Sequence, residues 1–300
     1  MKKVLFATTA LVATASVAAA DVTFSGYGRF GVLYTDVGGV DDTNVTSRFR
    51  LQIDATAESD AGVTFGGRVR LEGEERDAAG GTRAQFNGVR YFARSGGLEV
   101  GVGNIFGALE SMPGQYPIDI GLTGHQYDYT AFGGNGDAYS SGGLGSDGSN
   151  GVEVLYTIGD FTVHVSASDT SDRIAAYAAY TYSGWTFALG AQDSDNTADT
   201  ELTASVGGSF GIADVTLAYA DNGTRGDRIV LAGRVDVGAA TNIEAYVADA
   251  DEWIDTSFGI DFNHDLGGGT SLRGGISTGG SLSTATDSGT AIDMGVRFNF

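Results

Sequence analysis

The chain has 300 residues, with 48 glycines, two prolines, no cysteine and a formal charge of −21. The missing cysteine excludes a disulfide scaffold and a thiolate zinc site, and two prolines exclude collagen. Apolar residues make up 42% and aromatics 10%, ample for burial, while the negative charge repels phosphate and argues against a nucleic-acid partner.

The first element, residues 1–20, reads as a secretory signal peptide. Lys2 and Lys3 supply the positive start, residues 4–12 a short apolar stretch, and Ala18-Ala19-Ala20 the small-residue cleavage site. The stretch is too short and alanine-rich for a spanning helix. Cleavage after Ala20 leaves one domain, residues 21–300. Lys2 and Lys3 are the only lysines, so the 17 basic residues fall to 15, all arginine, against 38 acids, and the formal charge moves from −21 to −23.

Beyond Ala20 the pattern is alternation of period two, the signature of strands with one apolar and one polar face. Val45, Phe49, Leu51 and Ile53 alternate with Thr46, Arg48, Arg50 and Gln52; Phe65, Val69 and Leu71 with Thr64, Arg68, Arg70 and Glu72; Ile292, Met294, Val296 and Phe298 with Asp293, Arg297 and Asn299. In chain order the pattern predicts sixteen strands: 22–36, 45–58, 62–74, 83–95, 97–106, 151–158, 160–169, 173–183, 184–193, 199–210, 213–221, 226–237, 241–250, 255–264, 269–278 and 288–300. Short turns near 60–62, 95–97, 159–160 and 183–184 alternate with longer acidic connections at 36–44, 75–82, 193–199, 221–227, 249–255 and 278–288, as in an outer-membrane barrel. A soluble β-sandwich has fewer strands and packs its apolar faces together. Sixteen apolar faces beside charged ones fit lipid outside and water inside, and a sheet in lipid must close. The fold class is therefore all-β, a 16-stranded antiparallel transmembrane β-barrel. Tyr34, Tyr156, Tyr180, Tyr182, Trp185, Tyr219 and Trp253 are expected in interfacial girdles.

The mature start DVTFSGYGRFGVLYTD, the stretch SRFRLQIDATAESDAGVTFGGRVRLE and the end MGVRFNF resemble the general porins of alphaproteobacteria, of the Rhodobacter type. The resemblance covers the whole mature chain. It implies a homotrimer in the Gram-negative outer membrane and a water-filled pore narrowed by an inward-folded third loop. It also implies that the terminal Phe300 is presented to the barrel assembly machinery.

The longest irregular stretch, 106–150, follows the fifth strand, where that constriction loop begins. It holds both prolines and no arginine or lysine, with Glu110, Asp119, Asp128, Asp137 and Asp147 among its acids. Its first half carries apolar residues suited to docking on the wall. Nine of the fifteen arginines lie between Arg29 and Arg94. By parity Arg29, Arg48, Arg50, Arg68 and Arg70 face the lumen, and with Arg90 they form a basic pore wall. Glu110, Asp119 and Asp128 on the loop are expected to compensate them, setting a transverse field across the pore. The alternative is local pairing with Asp54, Glu72 and Glu74.

Acids in the outer connections, with Asp193, Asp195, Asp249 and Asp251 as candidates, offer oxygen ligands to Ca2+ or Mg2+ and a bridge to lipopolysaccharide; simple solvation is the alternative. No cofactor is required. The acidic surplus favours cations. Gly26 and Gly28, outward by parity, serve either close approach of a neighbouring barrel or closure of this one. The three histidines, His125, His164 and His264, stand in no G-x-S-x-G or H-E-x-x-H context, so no enzymatic activity is expected. The remaining alternatives are a channel specific for a sugar or organic acid, and an adhesin or structural barrel.

Overall fold

The computed structural model describes residues 20–74, 83–133, 136–139, 148–284 and 287–300. The predicted leader thus lies, apart from Ala20, outside the described residues, as do Arg76 and Asp147. The strands are β1 (Asp21–Val37), β2 (Val40–Glu58), β3 (Thr64–Glu74), β4 (Arg83–Phe86), β5 (Arg90–Ser95), β6 (Leu98–Asn104), β7 (Asn150–Ile158), β8 (Phe161–Ser168) and β9 (Arg173–Tyr182). They continue with β10 (Trp185–Asp193), β11 (Glu201–Phe210), β12 (Ala213–Asp221), β13 (Asp227–Asp236), β14 (Thr241–Ala250), β15 (Ser257–Gly267), β16 (Thr270–Thr278) and β17 (Thr290–Asn299). β4 and β5 both pair with β3 and are two halves of one span, interrupted at residues 87–89. The wall therefore has the sixteen predicted spans. Every pairing is antiparallel between neighbours, and β1 pairs with both β2 and β17, so the sheet closes.

Burial is inverted relative to a soluble protein. Phe24, Leu189 and Met294 are exposed on the outside of the wall, at 64%, 69% and 53%, whereas Glu153, Gln192 and Glu201 are buried within. Among the described residues no helix is long and apolar enough to cross a membrane; the crossing elements are strands. Tyr156, Tyr180, Tyr182 and Tyr219 are exposed on the wall as expected for a girdle. Trp253 is not part of it: the ring packs against the buried interior cluster, under the guanidinium of Arg228.

One predicted connection is absent. Residues 36–44 do not form a long acidic loop; β1 and β2 run on as a hairpin closed by Gly38-Gly39 alone, with Asp36 opposite Asp41. Both glycines have positive φ, 65° and 74°, the geometry that a two-residue hairpin turn demands. An Asn-free pair of glycines between acids looks like a loop in sequence, but its backbone suits the tightest turn available.

The closing seam explains the glycines of β1. On the outer side the Phe298 ring lies over Gly28, and the Phe300 ring lies at Gly26 and stacks on Phe49 with centroids 5.4 Å apart. The Gly26 amide donates to the Phe300 carbonyl at 2.9 Å and the Phe300 amide returns a bond at 3.1 Å. These glycines therefore serve closure. On the inner side Gly31 is paired with Gly295, and the Leu122 side chain sits over the two. An added Cβ at Gly295 would collide with the Phe30 carbonyl oxygen and with Leu122. Gly295→Ala is expected to destabilise the barrel by about 1–3 kcal/mol, the range for overpacking a filled site. Urea unfolding of barrels refolded into phospholipid vesicles measures it, and Gly238→Ala, with open space around it and no positive φ, is the comparison for the loss of a glycine alone.

Candidate pore constriction

Of the segment between β6 and β7, residues 105–133 lie inside the closed wall. Ile120 and Phe132 are fully buried, which inside-out burial permits only within the lumen. Leu109, Met112, Ile118, Ile120 and Phe132 pack on a bed of small inward residues, Ala175, Ala188, Ala218, Ala232 and Ala248, from β9, β10 and β12–β14. Each alanine occupies the inward parity of its strand and leaves the depth that a loop side chain fills. The first half of the segment thus docks on the wall as its apolar residues predict.

Polar anchoring is equally specific. A loop buried in a lumen must find partners for its backbone donors, and wall carboxylates provide them. Glu153 of β7 accepts the amides of Phe106 at 3.0 Å and Gly107 at 3.2 Å, and Ser166 accepts that of Ala108 at 2.9 Å. Glu244 accepts from the Asp119 amide at 3.1 Å, and Asp261 from that of Gly121 at 2.7 Å. Asp293 accepts from Leu122 at 2.9 Å and Thr123 at 2.7 Å. These four wall acids were missed by sequence reasoning, which placed the acidic surplus in outer connections. Their signal was present: each sits on the inward parity of its strand.

Two histidines complete the anchors, one near each end of the docked segment. His125, in a loop turn, lies 3.0 Å by Nε2 from Asp293 and 3.0 Å by Nδ1 from the Ser277 hydroxyl. His164, on β8, lies 3.1 Å by Nε2 from Glu153 and 3.0 Å by Nδ1 from the hydroxyl of loop residue Ser111. The Ser-His-carboxylate order resembles a hydrolytic array. All of these groups except Ser111 are buried at the loop–wall contact, and each array ties one end of the loop to the wall. His264 bonds Thr241 across β14 and β15 and takes no part.

The basic wall is present, but its compensation differs from expectation. Arg48 meets Glu74 at 2.7 Å and Glu72 at 3.5 Å, Arg50 meets Glu72 at 2.5 Å, and Arg68 meets Asp54 at 2.6 Å. The pairing is thus local to β2 and β3. Arg70 donates to Gln52 at 2.9 Å and lies over the Tyr139 ring. Arg29 reaches the loop through the Leu122 carbonyl. Arg90 does not line open lumen: 97% of its side chain is covered, by Glu99 and Glu153 at 2.6 Å each and by the Phe106 ring 4.0 Å away. It is a wall-to-loop brace, and parity alone does not distinguish a brace from a lining residue.

Of the three loop acids, Asp119 alone faces arginines, and they belong to other strands: Arg273 at 3.2 Å and Arg297 at 3.3 Å. Tyr27 links this group to the basic wall, with Arg297 on its ring at 4.2 Å and Arg50 at 5.1 Å. Glu110 accepts a hydrogen bond from Tyr116, and burial raises its pKa against that bond. Asp128 accepts from the Ser257 hydroxyl and the Ser281 amide at 3.1 Å each, and burial raises its pKa likewise. Both therefore hold the loop rather than oppose the arginines. Asp137, near the loop's far end, pairs with Arg173 at 2.5 Å.

The proposed metal acids are not gathered. Asp249 accepts from Thr256, Asp251 from the Asp227 amide, Asp193 lies in the β9–β10 ladder and Asp195 bonds backbone of Ser171. Among the described residues no group of three or more histidines or acids is placed to hold a metal ion.

A closed sixteen-span wall, apolar outside and charged within, with a loop pinned across its interior, defines a pore-forming membrane barrel. Residues 7–281 match the Gram-negative porin family. The chain is 32% identical over 271 residues to the porin of Fuscovulum blasticum, covering 80% of this chain and 88% of that one. It is 30% identical over 292 residues to the porin of Rhodobacter capsulatus, covering 84% and 92%. A solved variant of the Rhodopseudomonas blastica porin superposes with a TM-score of 0.78 at 28% identity, over 93% of this chain and 100% of that one. The chain belongs to the Gram-negative porin family.

Removing one anchor should free the loop. Asp293→Ala strands the Leu122 and Thr123 amides and His125, at about 1–3 kcal/mol for each buried group left without a partner. The expected outcome is larger and noisier single-channel conductance together with lower resistance to heat, whereas Asp60→Ala in an exposed short turn leaves both unchanged.

Proposed function

We propose that this porin is a general diffusion channel, a passive route for ions and small hydrophilic solutes across the outer membrane, with a mild preference for cations. The single observation that carries this reading is the pinned loop, which narrows a lumen whose open surface is charged. Arg29, Arg48, Arg50, Arg68 and Arg70 form one side of the constriction. Arg273 and Arg297 continue that basic wall, with Arg297 opposite Arg29 on the next strand, and Asp119 is the carboxylate that the loop presents to them. Opposite charges held apart across a narrow aqueous passage orient water and favour polar solutes over apolar ones of equal size. The chain acts as a channel and not as an enzyme.

The assembly reading goes with the family. The chain is exported with cleavage after Ala20, and the domain of residues 21–300 inserts with the Phe300 aromatic as its assembly signal. Three copies associate in an outer leaflet of lipopolysaccharide.

Selectivity is testable directly. Arg48→Gln with Arg50→Gln removes two positive charges and releases Glu72 and Glu74 from their pairs. Across a tenfold KCl gradient the reversal potential should move toward the ideal cation limit of about 59 mV; an unchanged potential removes these arginines from the constriction. Unheated electrophoresis in mild detergent should give a species of three chains that boiling converts to one.

A further inference from the structure

A second site lies at the long-connection end of the lumen, outside the constriction. A cavity of about 520 Å³ opens between the inward loop and the connections that follow β14 and β16. Tyr116 and Tyr127 stand at its side with 48% and 44% of their surfaces open, their rings edge-on at 6.2 Å. Trp253, with Arg228 at 4.4 Å over its ring, forms part of the lining, as do Glu252 and Gln126.

Three features make this a built site rather than a gap between loops. Gln126 and Tyr127 both hold the left-handed backbone conformation, φ 67° and 62°, which persists in non-glycine residues only where the surroundings enforce it. The turn is fixed by the Thr130 amide and hydroxyl, which donate to the Tyr127 carbonyl at 3.0 and 2.9 Å. Hydrogen-bonding capacity is also left open. Arg228 is more than nine-tenths buried, yet its Nε has no partner; the Ser283 hydroxyl in the same lining has none either. The Gln126 amide takes no partner among the described residues.

We propose that this cavity binds a neutral saccharide in transit. Two open phenol faces at right angles suit the C–H faces of a pyranose, since tyrosine offers a broad apolar body with a polar edge. The exposed Gln126 amide, which both donates and accepts, suits ring hydroxyls, each of which also donates and accepts. The charge balance disfavours an organic anion. Arg228 is the cation in the lining and is already neutralised by Glu252 at 2.5 Å. The position, inside the mouth and lined by the inward loop, selects a free solute over a lipid-anchored glycan. The site rests on the diffusion-channel reading for its access route; salt conductance in the same channels fails only if that reading fails.

The chain has two tryptophans, Trp185 and Trp253. Trp185 begins β10 with its ring over Gly208 of the neighbouring strand, away from the cavity. In a Trp185→Phe protein, refolded into vesicles without lipopolysaccharide, emission reports the cavity alone. Titration with maltotriose should change that emission saturably, with a dissociation constant on the order of 1 mM, and should reduce channel current over the same range. Gln126→Ala removes an amide with no other partner among the described residues and should weaken both responses about tenfold. Trp253→Phe, read by current, covers the indole. A response linear in sugar and matched by glycerol, a saturable response to choline with none to maltotriose, or a response confined to lipopolysaccharide vesicles each overturns the assignment.

Discussion

Closure of the sheet between β1 and β17 is the constraint on which the remaining structure depends. In hydrocarbon an unpaired amide or carbonyl costs several kcal/mol, so an open edge cannot persist there. The two strands meet over ten register pairs, and β1 is paired along its whole length with β2 on the other side. Close approach at the seam requires residues without side chains on both faces. Gly26 and Gly28 accept the rings of Phe300 and Phe298 on the outside, while Gly31 and Gly295 accept Leu122 on the inside. The terminal aromatic therefore does structural work beyond any role in assembly, and the loop is seated on the very pair of strands that seals the wall. Loosening the loop at Leu122 and loosening the seam are the same event seen from two sides.

Loop and wall solve each other's polar problem. Buried amides from residues 106–123 need acceptors, and buried carboxylates on β7, β14, β15 and β17 need donors. Matching them removes both penalties, and at Glu153 the Arg90 guanidinium donates as well. Along the wall between β17 and β7, β2 and β3 pair their arginines with acids on the adjacent strand. The lumen thus has two electrostatic territories: one of ion pairs within the wall, left facing water, and one of carboxylates consumed by the loop. The field across the passage arises from this division, with Asp119 as the loop's exposed carboxylate among arginines.

Alternation made the wall legible from sequence, because period two is a local property and sixteen repetitions of it admit few folds. The hairpin at Gly38-Gly39 was not legible, since two glycines between acids specify a turn only when the flanking residues are already known to pair. The docking of Leu109 and Ile120 was legible as apolarity in a loop. Its counterpart, the alanine bed, was visible as small residues at inward parity in strands such as β13 and β14, but nothing local says what fills the space above an alanine. Lumen parity placed Arg48 and Arg90 alike. Their difference, one facing water and one sealed under Phe106, is set by a loop residue far along the chain. Charge pairing across the pore could not be read for the same reason: Asp119 meets Arg297, 178 residues away.

The absence of lysine from residues 21–300 fits how these arginines are held. Arg90 bonds two glutamates and lies against Phe106; Arg68 bonds Asp54 and approaches the same ring. Arg70 bonds Gln52 under Tyr139, Arg228 bonds Glu252 against Trp253, and Arg297 bonds Asp119 over Tyr27. Each guanidinium makes in-plane hydrogen bonds while its face covers an aromatic ring, a combination that a planar fork permits and an ammonium does not. A lysine in such a place would keep the charge but lose either the ring or the second carboxylate. It would also need stronger hydration, which a narrow lumen crossed by a loop supplies poorly. Rigid positioning of charge, rather than charge alone, is what a constriction needs, and side chains fixed by a bond in one plane and a ring in another provide it.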